Sequence, residues 1–305
     1  MRHRFTPLSF LLSPYLFTIL PPLFWAGNAI AGRAVVGAVS PITLAFIRWC
    51  LAFLLLLPFG WPRLRGCAEI IRKRFGLLAT LSILSVSAYN TLLYVALTTT
   101  TAINATLVGS VMPMIIALLS WLILRERLSL RKLAGILLSL IGVLFVVCRG
   151  DLATLLGLEM HRGDLIMMAA TLSWSLYSVL LRRYPTGLDP VALLTIQVAL
   201  GIAFLAPFAL WERLDGGLLI WSKPALVSLA YVSIFPSLIA YYFWDRGIAR
   251  LGPTVAGLYT YLLPVFTALM AVALLGESFR WFHSTGAALI IAGICLTSLK
   301  ARATP

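Results

Sequence analysis

Long runs of apolar residues, separated by short polar stretches, recur along the whole chain. Each run is 18–23 residues long, the length of an α-helix that crosses a bilayer with modest tilt. The runs are continuous rather than alternating, which excludes transmembrane β-strands, and backbone groups in lipid must then pair within helices. The pattern predicts an all-α integral membrane protein with ten transmembrane helices, at approximately 15–37, 42–60, 75–97, 102–124, 131–148, 164–181, 190–211, 224–244, 253–275 and 281–299.

The composition agrees with this pattern. The chain is 61% hydrophobic and 11% charged, whereas soluble domains are about 45–50% apolar and about 25% charged. An ordinary soluble enzyme is therefore excluded, because it would expose large apolar patches. The net charge of +14 is explained by basic loops beside a bilayer, so we expect a lipid bilayer and no nucleic acid as partner.

The basic residues predict the orientation of the chain. Seventeen of the 24 lysines and arginines fall on the side of the N-terminus, six fall on the other side, and Arg48 lies inside the second segment. Cytoplasmic loops are the basic ones, so both termini are predicted in the cytoplasm of a cell that holds the protein in its inner membrane. Pro21 and Pro22 interrupt the first run, which is also too long for a signal peptide, so we expect it to be kept as a helix.

The two halves of the chain repeat each other. At an offset of 149, Trp25 matches Trp174 and Pro41 matches Pro190; at an offset of 151, Pro113 matches Pro264, and the pairs Glu126/Glu277, Gly135/Gly286 and Gly142/Gly293 follow with equal spacing. We predict two five-helix repeats, 15–148 and 164–299. Because five is odd, the second repeat enters the membrane inverted, an architecture common among secondary transporters.

Proline interrupts corresponding helices of the two repeats. Pro113 and Pro264 leave the carbonyls of Gly109 and Thr260 without a helical partner. Discontinuous helices at equivalent places are the best sequence indication of a transporter site. We therefore predict a gating or kinking role for both prolines. The equally spaced glycines are predicted to pack the fifth and tenth helices against neighbours.

Deep aromatic and amide side chains are the candidate substrate-binding residues. Trp25 and Trp174 are expected on opposite sides of one central space, since they are repeat equivalents. Aromatic contacts contribute about 0.5–1.5 kcal/mol beyond burial, which suits an aromatic ligand. The full set is Trp25, Asn28, Asn90, Tyr94, Trp174, Tyr177, Tyr241 and Tyr259. Helix packing is the competing interpretation for each residue.

Charge inside the predicted segments is scarce. For Arg48 a structural role, with the side chain snorkelling toward the interface, is favoured over binding of a substrate carboxylate. All ten acidic residues, Asp245 included, fall in loops or at segment ends. A carboxylate within the membrane is the usual proton relay, so facilitated export is expected at least as much as proton antiport. No metal or cofactor is predicted, and the four cysteines are expected to be inert.

The chain resembles the EamA family of the drug/metabolite transporter superfamily. The resemblance rests on Phe24-Trp25-Ala26-Gly27-Asn28, on Arg48 and on the repeated proline–glutamate–glycine–glycine pattern, and it covers nearly the whole chain. It implies ten helices with both termini inside and export of amino acids or other small metabolites. The overall pattern is similar to that of bacterial aromatic amino-acid exporters.

We favour export of aromatic amino acids and their analogues by alternating access at a central cavity between the repeats. Other amino acids, nucleosides and amphipathic drugs stay open as substrates. An intramembrane enzyme is excluded because paired intramembrane aspartates, a buried serine–histidine pair and a His-Glu-x-x-His motif are absent from the sequence. A channel or receptor is disfavoured because channels are often symmetric oligomers. A monomer suffices, since one chain contains both halves.

Overall fold

The structure is a computed structural model that describes residues 14–33, 35, 37–157, 159–275 and 278–298. Glu277 and the N-terminal arginines of the charge count lie outside these residues. Two short helices, Ala68–Lys73 and Leu152–Leu156, lie between longer ones. The ten long helices are α1 (Pro14–Arg33), α2 (Pro41–Leu64), α3 (Phe75–Ser82, Ile83–Tyr89 and Asn90–Thr99), α4 (Ala102–Gly109, Met112–Leu119 and Ser120–Leu124), α5 (Leu130–Val147), α6 (Arg162–Arg183), α7 (Pro190–Leu214), α8 (Lys223–Val232, Ser233–Ile239 and Ala240–Leu251), α9 (Pro253–Leu258, Tyr259–Tyr261 and Leu262–Leu275) and α10 (Trp281–Ser298).

The long helices have the dimensions and surface of membrane spans. Within the described residues, eight helices are long and apolar enough to cross a membrane, and α10 contains a shorter apolar helix, Trp281–Thr297. Large apolar side chains such as Leu54, Phe59 and Leu122 are more than half exposed, as expected of side chains that face lipid. The prediction of an all-helical membrane protein with about ten helices is confirmed.

Helix α8 extends beyond its predicted end. The apolar run stops at Trp244, but the helix continues through Asp245 and Arg246 to Leu251. The fall in hydropathy there marks the polar face of an amphipathic helix, whose Gly247 and Ile248 are buried. The expectation that every acidic residue lies in a loop or at a helix end is therefore wrong for Asp245, which lies inside α8.

Helix contacts follow an approximate two-fold relation between the halves. The repeat equivalents α2 and α7 pack on each other, as do α5 and α10. The contact of α1 with α8 is matched by that of α6 with α3, and the contact of α1 with α9 by that of α6 with α4. This pattern is what two equivalent five-helix units produce when a pseudo-two-fold axis relates them, and it is consistent with an inverted repeat.

Glycines bring α5 and α10 into backbone contact. A Cβ atom built on Gly135 would lie 2.6 Å from the Gly293 carbonyl oxygen, and one on Gly142 would lie 2.7 Å from that of Gly286. The reverse approaches, of Gly293 to Gly135 and of Gly286 to Gly142, are 2.5 and 2.7 Å. The glycines thus pack α5 against α10, as predicted, because only residues without side chains let helices come so close.

Helices α4 and α9 are interrupted near their prolines. In α4 the helix breaks between Gly109 and Met112, directly before Pro113. In α9 a 3₁₀ turn, Tyr259–Tyr261, precedes the segment that contains Pro264. The predicted distortion is therefore present in both repeats at equivalent positions.

Three segments of the described residues are π-helical, and none was predicted from the sequence. Two of them, Ile83–Tyr89 in α3 and Ser233–Ile239 in α8, lie at equivalent positions of the two repeats, and the third, Ser120–Leu124, ends α4. Pro236 contributes to the second segment, since it has no N–H to donate. Such wide turns displace carbonyl groups from the regular helical ladder and occur frequently at functional sites.

Candidate functional site

Arg48 occupies the centre of a buried polar cluster. Its side chain projects from α2 and is 1% exposed, which excludes the snorkelling that the sequence favoured. Nε donates to Ser237 Oγ at 3.0 Å, and Nη1 donates to Tyr94 OH at 2.6 Å and to Asn90 Oδ1 at 3.1 Å. A longer contact of 3.4 Å joins Nη1 to Asn28 Oδ1. Helices α1, α2, α3 and α8 therefore meet at one guanidinium group.

All hydrogen-bond acceptors of Arg48 are neutral. No carboxylate of the described residues lies within ion-pairing distance, 4.0 Å, of the guanidinium. Its remaining neighbours are aromatic, since its central carbon lies 5.0 Å from the ring centroid of Trp49 and 5.9 Å from that of Tyr94. Amides, hydroxyls and rings stabilise a buried cation only partly, because they carry no compensating charge.

The π-helical segments supply part of this cluster. The Ser85 carbonyl, in the α3 segment, accepts from Asn90 Nδ2 at 3.2 Å and from Tyr241 OH at 2.8 Å. In the α8 segment, Ser237 Oγ donates to the Val232 carbonyl at 2.6 Å while it accepts from Arg48. The wide turns thus place backbone acceptors beside the polar side chains of the site.

An aromatic cluster packs beside the polar one. The rings of Trp25 and Trp174 meet edge to face with centroids 5.2 Å apart, and Trp244 lies 5.3 Å from Trp25 and 5.6 Å from Trp174. Tyr89 and Tyr241 contact Trp174 at 4.8 and 5.1 Å. We expected Trp25 and Trp174 to face each other across a space; in this conformation their rings touch and fill it.

A second polar cluster surrounds Asp245. Its carboxylate is 7% exposed; Oδ1 accepts from Tyr177 OH at 2.5 Å, and the same hydroxyl accepts from Gln197 Nε2 at 3.3 Å. Oδ2 has no hydrogen-bond partner among the described residues. A buried carboxylate was the group that the sequence did not predict, because Asp245 followed the last apolar residue of its run.

The two polar clusters are repeat equivalents. At the offsets of 149 and 151, Asn28 corresponds to Tyr177, Arg48 to Gln197, Asn90 to Tyr241 and Tyr94 to Asp245. The clusters meet where Asn90 Nδ2 donates to Tyr241 OH at 2.8 Å. One cluster therefore carries the buried cation and the other carries the buried carboxylate.

The remaining predicted residues lie apart from these clusters. Tyr259 is buried with Tyr261 and Leu258 in a separate apolar core beside α5 and α10. Pro113 and Pro264 are buried at their helix breaks. The structure thus brings together Trp25, Asn28, Asn90, Tyr94, Trp174, Tyr177 and Tyr241, and it leaves Tyr259 outside.

The side chains of the site offer groups that recognise a small molecule. No group of three or more histidine, cysteine or acidic side chains suited to a metal ion occurs in the part of the chain that the structure describes. Around Arg48 and Trp174 the groups present are a guanidinium, amides, hydroxyls and aromatic faces. These can bind a small polar molecule with an aromatic or apolar portion.

Comparisons with known proteins agree with this architecture. Residues 12–148 and 161–299 each match the EamA-like transporter family. The chain is 31% identical over 286 residues to an uncharacterized transporter of Archaeoglobus fulgidus, covering 94% of this chain and 97% of that protein. It is 28% identical over 300 residues to the uncharacterized transporter YyaM of Bacillus subtilis, covering 94% of each. A crystal structure with 24% identity has the same fold, with a TM-score of 0.78 over 95% of this chain and 97% of that chain.

Proposed function

This chain belongs to the EamA-like transporter family, and we propose that it exports small carboxylates with an aromatic portion, above all the aromatic amino acids phenylalanine, tyrosine and tryptophan and their analogues. It is a membrane transporter and not an enzyme. What we propose is the substrate class, and the proposal rests on the polar and aromatic clusters around Arg48 and Trp174.

The observation that carries the proposal is the unpaired charge of Arg48. A charged group in the membrane interior is costly, and such groups pair with one another or mark substrate pathways. Arg48 meets only neutral acceptors in the described residues. A substrate carboxylate would supply the missing charge, with the paired hydrogen bonds that a guanidinium makes well.

The neighbouring rings favour an aromatic side chain. Trp49 joins the two clusters, because it lies beside Arg48 and its ring is 5.0 Å from that of Tyr241. The indole N–H groups of Trp49 and Trp174 have no partner in the described structure. A ring that entered between Trp25 and Trp174 would replace one aromatic contact with two, at little cost in burial.

Transport by this site requires the aromatic contacts between the halves to open. We propose that the two repeats, 15–148 and 164–299, are the units that move against each other in alternating access, with the site at their interface. The arginine-rich side would face the cytoplasm with both termini. One chain holds both repeats, so a monomer suffices for this cycle.

Efflux from proteoliposomes tests the proposal. Purified protein would be reconstituted into vesicles loaded with labelled phenylalanine, threonine, a nucleoside or an amphipathic cationic dye, and exchange would be measured for each. We expect phenylalanine to exchange fastest and the cation to be excluded by Arg48. Equal rates for threonine and phenylalanine would contradict the aromatic preference. Faster exchange of the nucleoside or the dye would show that the proposed substrate class is wrong.

The kinetics separate a transporter from a channel. A carrier saturates with substrate and accelerates when unlabelled substrate is present on the far side, whereas a pore does neither. Saturable exchange with such acceleration is expected here, because the contacting rings must part and rejoin in each cycle.

A further inference from the structure

Asp245 combines burial with access to a cavity. The residue lines a cavity of about 250 Å³ that is bounded by α6, α7, α8 and the loop between α6 and α7. Arg182, Thr186, Leu193, Arg246 and Ile248 also line it. Arg182 and Arg246 belong to the arginine-rich side of the protein, so this cavity lies toward the side that we assign to the cytoplasm.

We propose that Asp245 is the proton-binding group of a substrate–proton exchanger. This inference rests on the proposed function as an exporter. A proton from water on the cavity side reaches the buried Oδ2 and later returns to water, so in each transfer one O–H bond forms as another breaks. In a cell with an inward proton gradient, an exporter driven by that gradient must move protons inward as substrate leaves.

Among the groups that face one another around Asp245, its own carboxylate is the one that accepts the proton. From α6, Tyr177 donates to it and Arg182 lines the cavity; from α7, Gln197 is neutral. Its own helix contributes Tyr241, whose hydroxyl is bonded to Asn90 and Ser85, and Arg246. Helix α1 contacts the Ala240–Leu251 part of α8 through Phe17, Thr18 and Trp25, none of which titrates, and the adjoining segment Pro253–Leu258 of α9 has no titratable residue.

The second carboxylate oxygen provides the site for the proton. Oδ1 is occupied by Tyr177, whereas Oδ2 has no hydrogen-bond partner among the described residues although the side chain is more than nine-tenths buried. A buried acceptor without a partner is costly while the carboxylate is ionised. Binding a proton there removes the charge and part of that cost.

A contact path joins this carboxylate to the aromatic cluster. Tyr177, the partner of Asp245, has its ring 5.2 Å from Trp174, and the adjacent Trp244 contacts both Trp25 and Trp174. Hydrogen bonds to an ionised carboxylate are roughly twice as strong as neutral ones. Protonation therefore weakens the hydrogen bond from Tyr177 of α6 to Asp245 of α8. These two helices also carry Trp174 and Trp244, which both contact Trp25 of the other repeat.

Infrared titration of the purified protein tests the proton site without any substrate. In the wild type we expect a carboxyl C=O band from Asp245 whose intensity changes with pH. This band should be absent in Asp245→Asn and present in Asp215→Asn, a matched change of an exposed acid. Asp245→Asn keeps an oxygen acceptor for Tyr177. If this variant does not fold, Asp245→Glu keeps the carboxyl group and should shift the pH profile. Identical titrations in all variants would overturn the proposal.

Proteoliposomes with a clamped membrane potential test the coupling. With a pH difference of about one unit, one-to-one exchange concentrates labelled phenylalanine up to about tenfold in the wild type. Asp245→Asn should lose this accumulation yet keep substrate-for-substrate exchange, and Asp215→Asn should accumulate normally. Accumulation by Asp245→Asn at the wild-type level would overturn the proposal.

The two measurements distinguish the possible failures. If the wild type exchanges phenylalanine but the pH difference drives no accumulation, proton coupling is wrong and the proposed function stands. If phenylalanine is not transported at all but the Asp245 band titrates, the proposed substrate is wrong and the proton site stands.

Discussion

Tyr177 donates a hydrogen bond of 2.5 Å to Asp245, and the equivalent bond in the other repeat runs in the opposite direction. There Tyr94, the counterpart of Asp245, donates to Asn28, the counterpart of Tyr177, at 3.1 Å. Each repeat therefore keeps one tyrosine hydroxyl bonded to one side-chain oxygen, but the donor and the acceptor have exchanged helices. The exchange leaves a carboxylate in the second repeat and an amide in the first.

Removal of the Tyr177 hydroxyl is expected to destabilise the protein modestly. Tyr177→Phe leaves Asp245 without its donor, and side-chain hydrogen bonds within membrane proteins contribute about 0.6 kcal/mol on average and about 1.7 at most. We expect a lower free energy of unfolding in detergent, measured by steric trapping or denaturant titration. Tyr184→Phe, at an exposed position, is the control and should leave stability unchanged.

Replacement of Arg48 by glutamine is expected to lower the transport rate strongly without loss of stability. Glutamine occupies the equivalent position as Gln197, and a central arginine costs about 2.5–3.5 kcal/mol on insertion scales. We expect transport of phenylalanine to fall at least about tenfold, since charge-assisted hydrogen bonds contribute about 1.5–3 kcal/mol. Arg63→Gln, exposed on the same helix, is the control.

The Tm of the Arg48→Gln protein decides between the two roles of the arginine. An unchanged or higher Tm together with lost transport supports substrate binding. A fall in Tm as large as that of a core truncation, with normal transport by the protein that still folds, would show that Arg48 serves the fold alone.

Trp25 and Trp174 are expected to respond differently to truncation. Trp174 is 1% exposed and contacts five aromatic rings, so Trp174→Ala should lower folded yield, because truncation of a buried tryptophan costs about 3–5 kcal/mol. Trp25 is only partly buried, so Trp25→Ala should fold and transport more slowly.

Trp174→Phe separates packing from function at the buried position. It keeps a ring in the cluster and should restore folded yield, while transport of phenylalanine stays below wild type. Wild-type transport by both Trp25→Ala and Trp174→Phe would remove these residues from the site. Initial exchange rates, normalised to monodisperse protein on size-exclusion chromatography, give the comparison.

Substitution of a glycine of α5 by a residue with a large side chain is expected to disrupt the fold. Gly142→Leu would place side-chain atoms where the Gly286 backbone now lies, so α5 and α10 would have to separate. We expect a strong loss of monodisperse protein. Gly76→Ala, in α3 with open space around its Cβ position, is the matched control, and it should be neutral or stabilising because alanine favours helix by about 1 kcal/mol over glycine. A normal elution profile of Gly142→Leu would contradict the packing.

Sequence patterns predicted the features that repeat or that depend on local spacing. Continuous apolar runs predict the helices, and equal offsets predict that Trp25 and Trp174 are repeat equivalents at one central place and that the glycines are packing positions of α5 and α10. Helical periodicity also places Asn90 and Tyr94 on one face, where both meet Arg48.

Other features depend on tertiary packing that hydropathy does not describe. Asp245 follows an apolar run, and only the fit of α8 against α6 and α7 shows that the helix continues and buries it. Arg48 seemed close enough to the membrane surface to snorkel, yet α1, α3 and α8 enclose it. In the π-helical segment of α3, the Ser85 carbonyl accepts from the side chains of Asn90 and Tyr241, and no local motif marks such a site.

The unlike composition of the two polar clusters has a consequence for how such a protein can be assembled. In its polar clusters, a homodimer of the first half would hold two guanidinium groups and no carboxylate, and a homodimer of the second half would hold two copies of the Asp245 carboxylate and no cation. Either assembly would bury two like charges and none of the opposite sign in these clusters, which is costly in a medium of low dielectric constant. The fused chain avoids both, because peptide linkage guarantees that every molecule contains one half of each kind.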